Sequence, residues 1–197
     1  MDLRPITLEG EFVRLEPLSL NHHDRLCSVG LEPELWQYTT SILSTPDDMK
    51  SYIETAMKWQ TEGHALPFAQ VEQSTNTVVG STRYAAIDRT HRRLEIGWTW
   101  LAQPWQRTAI NTEAKYLLLK HAFEILGCLR VEFKTDSINE RSRNALVRIG
   151  AREEGILRNH MVIHSGRIRH SVYYSIINTE WNEVKNRLEG LLRSRRP

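Results

Sequence analysis

A polar loop in front of a predicted helix is the first feature of the sequence that could bind a charged ligand. Residues 106–111 follow a strand that ends near Leu101 and precede a helix that opens near Thr112. The first amides of a helix lack partners within it, and the helix dipole is positive there, so this position favours a phosphate. Arg107 adds a positive charge and Thr108 a hydrogen-bond donor. Taken alone the signal is weak, because every strand–loop–helix connection contains such a terminus.

Glu95 is a candidate general base. The run 93–101 alternates like a strand, which predicts one face with Leu94, Ile96, Trp98 and Trp100 and another with Glu95, Gly97, Thr99 and Leu101. A carboxylate beside the small Gly97 could accept a proton. The alternative is a glutamate at a sheet surface that is paired with Arg92 or Arg93.

Asn139 and Ser142 form a polar pair at a predicted helix start. With Leu146 they are spaced three and four residues apart, so they share one helix face. Ser142 lies four residues after Ile138, on the side that we expect to point inward. Polar groups on such a rim need hydrogen-bond partners, which a bound ligand could supply. The alternative is helix capping, since Asn and Ser are common near helix starts.

In order and spacing, these segments resemble the GNAT acetyltransferases, in particular their RimJ/RimL-like branch. Residues 106–111, Gln-Arg-Thr-Ala-Ile-Asn, occupy the register of the family's pyrophosphate loop, Gln/Arg-x-x-Gly-x-Gly/Ala. Further matching segments are Val-Arg-Leu-Glu-Pro-Leu, Leu-Glu-Ile-Gly-Trp, Asn-Thr-Glu-Ala-Lys-Tyr-Leu-Leu-Leu-Lys-His-Ala-Phe-Glu, Asn-Glu-Arg-Ser-Arg-Asn-Ala-Leu and Gly-Ala-Arg-Glu-Glu-Gly-Ile-Leu-Arg. The resemblance extends over nearly the whole chain. The loop departs from the pattern at Ala109, where the family usually has Gly, and at Asn111, where it has Gly or Ala.

The resemblance implies an acetyl-CoA-dependent N-acetyltransferase without a metal. The cofactor-binding residues that it implies are Thr99, Trp100, Leu101, Gln106, Arg107, Thr108, Ala109, Ile110, Asn111, Thr112, Asn139 and Ser142. Glu95 would be the base, and backbone N–H groups of residues 99–101 would polarise the thioester carbonyl. Leu146 stands where many relatives have the tyrosine that protonates the thiolate, and a serine in this motif, here Ser142, is the usual substitute in the RimL-like branch.

Aromatic side chains are candidates for the wall of the acceptor pocket. Trp36, Trp98 and Tyr173 are the residues that we assign to it, although aromatic residues on strands are more often plain core. Tyr173 and Tyr174 should point to opposite faces of one strand. An α-amine, with a pKa of ~8, is an easier acceptor than a lysine amine at ~10.4, because only one modest base is in sight.

The elements that must position these groups predict an α+β fold. Strands are expected near residues 12–15, 65–71, 77–84, 93–101, 129–134, 153–163 and 170–177, and helices near residues 19–30, 46–59, 112–126, 138–149 and 181–191. Apolar stripes are expected at Tyr52, Ala56 and Trp59, at Ala114, Leu117, Leu118, Ala122, Ile125 and Leu126, and at Trp181, Val184, Leu188 and Leu191. This order argues for one mixed sheet flanked by helices, and the family resemblance makes it mostly antiparallel. We expect a single domain over residues 1–197, with a basic tail at about 193–197.

Composition limits the other classes. A net charge of +2 is too small to argue for nucleic acid, and Arg193, Arg195 and Arg196 form a short terminal cluster. No signal-peptide pattern and no apolar run of ~20 residues is present, so we expect a cytoplasmic protein without a membrane partner. His160 and His164 have no third ligand nearby, so we expect no zinc. A homodimer is possible.

Two alternatives stay open at this point. One is a catalytically silent acyl-CoA-binding module, which Ala109, Asn111 and Leu146 keep in play. The other, within the enzyme hypothesis, is a small-molecule acceptor such as an amino acid, a polyamine or a drug.

Overall fold

The computed structural model, which describes residues 1–195, is built on one eight-stranded sheet in the order β1-β2-β3-β4-β5-β6-β8-β7. The strands are β1 (Leu8–Glu9), β2 (Val13–Pro17), β3 (Leu66–Glu72), β4 (Thr77–Asp88), β5 (Arg93–Leu101), β6 (Arg130–Asp136), β7 (Arg152–Val162) and β8 (Ile168–Ile177). The α-helices within this range are α1 (His23–Gly30), α2 (Pro46–Thr61), α3 (Ile110–Lys120), α4 (Glu140–Ile149) and α5 (Trp181–Arg193). The predicted α+β fold is confirmed.

The sheet separates two buried apolar clusters. The larger cluster includes Leu94, Leu118 and Leu188 and lies on the side of α3, α4 and α5. The smaller one includes Trp36, Ile53 and Trp100 and lies under α1 and α2. Burying apolar surface on both faces is what fixes the sheet between its two helical layers.

The pairing of β5 with β6 opens a cleft in the middle of the sheet. All other neighbouring strands are antiparallel, whereas β5 and β6 are parallel. Their register pairs end at Glu95 with Glu132, although β5 continues to Leu101 and β6 to Asp136. We call the opening between residues 96–101 and residues 133–136 the cleft. Backbone groups along its edges are thereby free for a ligand.

A β-bulge at Trp98 corrects the predicted faces of β5. The register between β4 and β5 shifts by one residue between Ser81 and Arg83, and Trp98 has a positive φ of 48°. An extra residue in a strand reverses the alternation beyond it. Trp98 and Trp100 therefore lie on the side of Glu95, and Thr99 lies on the side of α3, contrary to the simple alternation.

Most residues of the predicted apolar stripes are buried, with several exceptions. Ile125 is 72% exposed, because α3 continues as a π-helical turn over His121–Ile125 that rotates later residues relative to an α-helix. Ile138 is 55% exposed, because it precedes Asn139, the N-cap of α4. In α2 the buried residues are Met49, Ile53 and Ala56, and in α5 Leu192 is buried in place of Leu191.

The ends of the helices follow the sequence signals. Gly127 and Gly150 adopt positive φ after their helices, as expected for terminating glycines. Arg193 is the last residue of α5, and Arg196 of the predicted tail lies outside the described residues. Within the described residues, no helix is both long and apolar enough to cross a membrane.

Candidate active site

Glu95 lies where the cleft begins. Its side chain is almost fully buried, and Oε2 accepts a hydrogen bond from Nζ of Lys134 on β6 at 3.0 Å. The alternative pairing with Arg93 does not occur, because Arg93 binds Asp88 and Glu132. Oε1 of Glu95 makes no hydrogen bond to any described residue. This oxygen is therefore available to accept a proton or a hydrogen bond from a ligand.

Gly97 provides the space for that free oxygen. A Cβ atom at position 97 would lie 2.5 Å from Oε1 of Glu95. The strand thus places its smallest residue under the carboxylate, and a larger residue would displace it.

Trp98 and Tyr173 lie beside Lys134, the partner of Glu95, on the α2 side of the sheet. The Trp98 ring is 38% exposed and lies 5.7 Å from Nζ of Lys134. Tyr173 is half-buried, pairs with Lys134 across β6 and β8, and has the ring of His160 at 5.8 Å. Burial lowers the pKa of His160, and the charges of Lys134 and Arg169 lower it further. Tyr174, as expected, points into the core.

Trp36, in contrast, is a packing residue. It is 3% exposed, its ring centroid lies 5.4 Å from that of Trp100, and Nε1 donates to the carbonyl oxygen of Gly30. Trp100 is buried in the same cluster. Both side chains belong to the apolar packing under α1 and α2.

The loop before α3 adopts a conformation that does not require glycine at its two unusual positions. Its left-handed residue is Arg107, at φ 64°, whereas Ala109 is helical at φ −67° and ψ −24°. Asn111 already lies within α3, which begins at Ile110, two residues before the predicted start. Positive φ is the conformation that favours glycine, so Ala109 and Asn111 impose no backbone strain here.

Side chains tie this loop to the end of β5 and to α4. Nε2 of Gln106 donates to the carbonyl oxygen of Leu101 at 2.8 Å, and Oε1 accepts from Arg141 on α4 at 2.6 Å. Thr112 of α3 accepts a 2.8 Å hydrogen bond from Arg148, which also lies in α4. The loop thereby joins the end of β5 to α4. Arg107 and Thr108 are exposed at its tip.

The start of α4 shows the capping contact that was the alternative for Asn139. Its Oδ1 accepts from the backbone N–H of Ser142 at 3.0 Å. The Asn139 amide nitrogen and the Ser142 hydroxyl make no hydrogen bond within the described residues, so both remain available. A cavity of about 890 Å³ runs from Asn139 to the segment between α1 and α2, where Gln37 and Tyr38 line it.

Two lysines at the cleft were not predicted from the sequence. Lys134 follows the outward alternation of β6, and only the β5–β6 register reveals that it meets Glu95. Lys115 lies on the buried side of α3 between Ala114 and Leu118. A lysine at a buried helix position was a detectable signal, because charged side chains are almost never fully buried without a partner.

Metal-ligating residues do not converge in the part of the chain that the structure describes, since no group of three or more His, Cys, Asp or Glu side chains could hold an ion. His160 lies in β7, and His164 lies beyond its end.

Comparison with known proteins gives one consistent family. The family model of the acetyltransferase (GNAT) domain matches residues 13–152. "Putative ribosomal N-acetyltransferase YdaF" of Bacillus subtilis (strain 168) is 36% identical over 99 residues, which are 50% of this chain and 53% of that protein. The match thus spans about half the length of that relative.

Solved structures match over most of the chain. A GCN5-related N-acetyltransferase from Brucella melitensis is 30% identical with a TM-score of 0.89, covering 96% of this chain and 86% of that one. RimJ of Mycobacterium smegmatis, in complex with CoA-disulfide, has a TM-score of 0.82 and 22% identity, covering 97% and 96%. At that identity, the similarity to RimJ shows the fold alone.

Proposed function

The chain belongs to the GNAT acetyltransferase family, and we propose that it transfers the acetyl group of acetyl-CoA to a primary amine, specifically the α-amine of a protein or peptide. The observation that carries this proposal is the free oxygen of Glu95 at the start of the cleft. A buried carboxylate oxygen without a protein partner is a suitable acceptor for the proton of an attacking amine.

Acetyl-CoA, as a substrate, fits the residues of the cleft. The loop at 106–111 offers Arg107 and the first amides of α3 to the pyrophosphate. The edge of β5 at residues 99–101 offers backbone N–H groups to the thioester carbonyl, and the free amide of Asn139 lies within reach of an extended arm at the start of α4. Ser142 presents its hydroxyl on the first turn of that helix.

The reaction uses these groups in order. The amine enters from the α2 side, passes its proton to Oε1 of Glu95, and attacks the thioester carbon. The N–H groups of β5 stabilise the negative charge that develops on the carbonyl oxygen. The carbon–sulfur bond then breaks, and the thiolate must be protonated.

A peptide acceptor is favoured by the cavity that runs from Asn139 to the segment between α1 and α2. Its volume of about 890 Å³ and its open position between α4 and the segment after α1 suit an extended chain better than one small amine. The name of YdaF, a relative of this chain, points to a ribosomal acceptor for that protein. The α-amine also makes the lower demand on the base, since its pKa is ~8.

The test is transfer from acetyl-CoA to matched acceptors. Short peptides with a free N-terminus are compared with the same peptides blocked at the N-terminus but containing lysine, and with amino acids and polyamines. Mass spectrometry should find acetylation of the free α-amine. Acetylation of polyamines or lysine alone would contradict the acceptor class, and CoA binding without any transfer would indicate the silent module.

A further inference from the structure

A buried lysine reaches the cleft from the face of the sheet opposite Glu95. Lys115 on α3 is 6% exposed, and its Nζ donates to Oγ1 of Thr99 on β5 at 2.7 Å. The same Nζ lies 5.7 Å from the ring centroid of Phe133 on β6. Lys115 therefore stands between the two strands that separate to form the cleft.

The surroundings of Lys115 contain little to compensate its charge. Among the described residues no carboxylate lies within ion-pair distance of Nζ, and Thr99 bonds in turn to the neutral Thr82 of β4 at 2.8 Å. Glu95 is the charged group that acts on it, and it does so from the other face of the sheet. Burial lowers the pKa of Lys115 to about 7, and the charge of Glu95 opposes this shift.

Burying an ammonium group without an ion-pair partner destabilises a protein, so its presence calls for a role. Thr99, to which Lys115 bonds, is exposed on the β5 edge of the cleft. Titratable groups thus approach the opening from opposite sides: Glu95, with its partner Lys134, lies on the α2 side, and Lys115 lies on the α3 side.

We propose that the ammonium of Lys115 protonates the sulfur of CoA as it leaves. The inference rests on the proposed acetyl transfer and names the group that completes it. In the tetrahedral intermediate the amine nitrogen and the thiolate sulfur occupy different corners of the carbonyl carbon, so the two proton transfers need two separate groups, a base for the nitrogen and an acid for the sulfur.

The amine nitrogen forms a bond to the carbonyl carbon and loses a proton to Glu95. The carbon–sulfur bond breaks, its electron pair stays on sulfur, and sulfur takes a proton from Nζ of Lys115, which becomes a neutral amine. Solvent then returns a proton from Glu95 to Lys115, and acetylated amine and free CoA thiol are the products.

Ser142 is a weaker candidate for this step. A neutral serine hydroxyl is a much weaker acid than a thiol, whose pKa is ~8.5 in cysteine, so its proton transfer to a thiolate would be uphill. An ammonium with a pKa of about 7 transfers its proton downhill. Ser142 then serves to position the thioester.

The test compares Lys115→Met with Lys120→Met, an exposed lysine on the same helix. Turnover of Lys115→Met should fall by about 10²-fold, with the Kd for CoA and the KM for acetyl-CoA within about threefold of wild type and with a melting temperature no lower. Lys120→Met should match wild type in all four. A Lys115→Met protein with wild-type turnover would overturn the proposal, and so would a weakened Kd that accounts for the whole loss.

The pH profile separates proton donation from a structural role, and it uses the wild-type chain. With a hydrazide acceptor, which is neutral throughout, wild-type kcat should decrease at alkaline pH as the donor loses its proton, and the kcat of Lys115→Met should lack that decrease. A wild-type profile that stays flat to pH 10 would overturn the proposal even if Lys115→Met failed to fold. Wild type that transfers acetyl to no amine would instead refute the proposed function itself.

Discussion

Oε1 of Glu95 lies above Gly97, where a Cβ atom would approach it to 2.5 Å. The other oxygen, Oε2, is held by Lys134 at 3.0 Å. One oxygen is thereby fixed and the other is free, which is the arrangement that a base needs in order to meet an incoming amine in a set geometry.

Gly97→Ala should lower turnover without unfolding the protein. The added methyl group meets a side-chain oxygen, which can move, so the fold is retained while the carboxylate is displaced. A displacement of about 1 Å can reduce the rate by ~10²-fold. The control is Gly190→Ala in α5, where a Cβ meets nothing within 4 Å and should stabilise the helix slightly. Steady-state kinetics and thermal melts check both variants, and wild-type turnover of Gly97→Ala would contradict the assigned position of the base.

Glu113→Gln should destabilise the fold by about 2–4 kcal/mol. Its carboxylate accepts the backbone N–H groups of Glu11, Phe12 and Val13 at 2.8, 2.6 and 2.8 Å, which joins the turn between β1 and β2 to α3. A glutamine keeps one acceptor and turns an amide group toward the other donors. The control is Glu183→Gln, which is also in the first turn of a helix but is exposed. Urea titrations should separate the two; equal losses would mean that the effect is only that of the helix dipole.

Because of Lys115, the free energy of unfolding should depend on pH between about 7 and 10.5. Its pKa is lowered from 10.5 to about 7 on folding. Below pH 7 both states hold the proton and the folded state bears the full cost of the buried charge. Between pH 7 and 10.5 only the unfolded state still holds it, so the contribution of Lys115 to the free energy of unfolding rises with pH. The stability advantage of Lys115→Met over wild type should therefore be largest near pH 6.5 and should shrink by pH 9.5 in paired thermal melts. If the stability advantage of Lys115→Met grew with pH, the pKa of Lys115 would not be lowered on folding.

Substitutions of Asn139 and of Ser142 should differ in their effects on stability and on kinetics. Asn139→Ala removes the cap of α4 and should cost about 1 kcal/mol, and it should also raise the KM for acetyl-CoA. Asn139→Asp keeps the capping acceptor, so it should restore stability but not the KM. Ser142→Ala keeps the capped backbone N–H and should leave stability unchanged while lowering turnover modestly. If Asn139→Asp restored both quantities, capping alone would explain Asn139.

Most helices and strands of this fold could be predicted from the sequence, because local residue patterns mark their boundaries. Pro46 with its acidic neighbours opens α2, and Gly127 and Gly150 follow the two helices that they terminate. The alternation in β6 and β8 also survives, since those strands pair without interruption over Arg130–Asp136. Where local preference and tertiary structure agree, pattern is sufficient.

The arrangement of the site needed the structure. The bulge at Trp98, where φ is positive, reverses which faces the later residues of β5 occupy. No residue type at that position indicates a bulge. The contact of Glu95 with Lys134 depends on the register of two parallel strands far apart in sequence, and that register ends where the cleft begins. Lys115 was not part of the predicted apolar stripe, yet it is buried in α3, so its residue type conflicts with its position; such conflicts tend to mark functional sites.

The central claim is that Glu95 accepts a proton during acetyl transfer, and the initial rate of thiol release from acetyl-CoA with a peptide acceptor tests it most directly. Glu95→Gln keeps the size and one hydrogen-bond acceptor but cannot take the proton. Its turnover at neutral pH should fall by ~10²–10⁴-fold relative to wild type, with the Kd for CoA nearly unchanged. A Glu95→Gln enzyme with wild-type turnover from pH 6 to 9 would contradict the account.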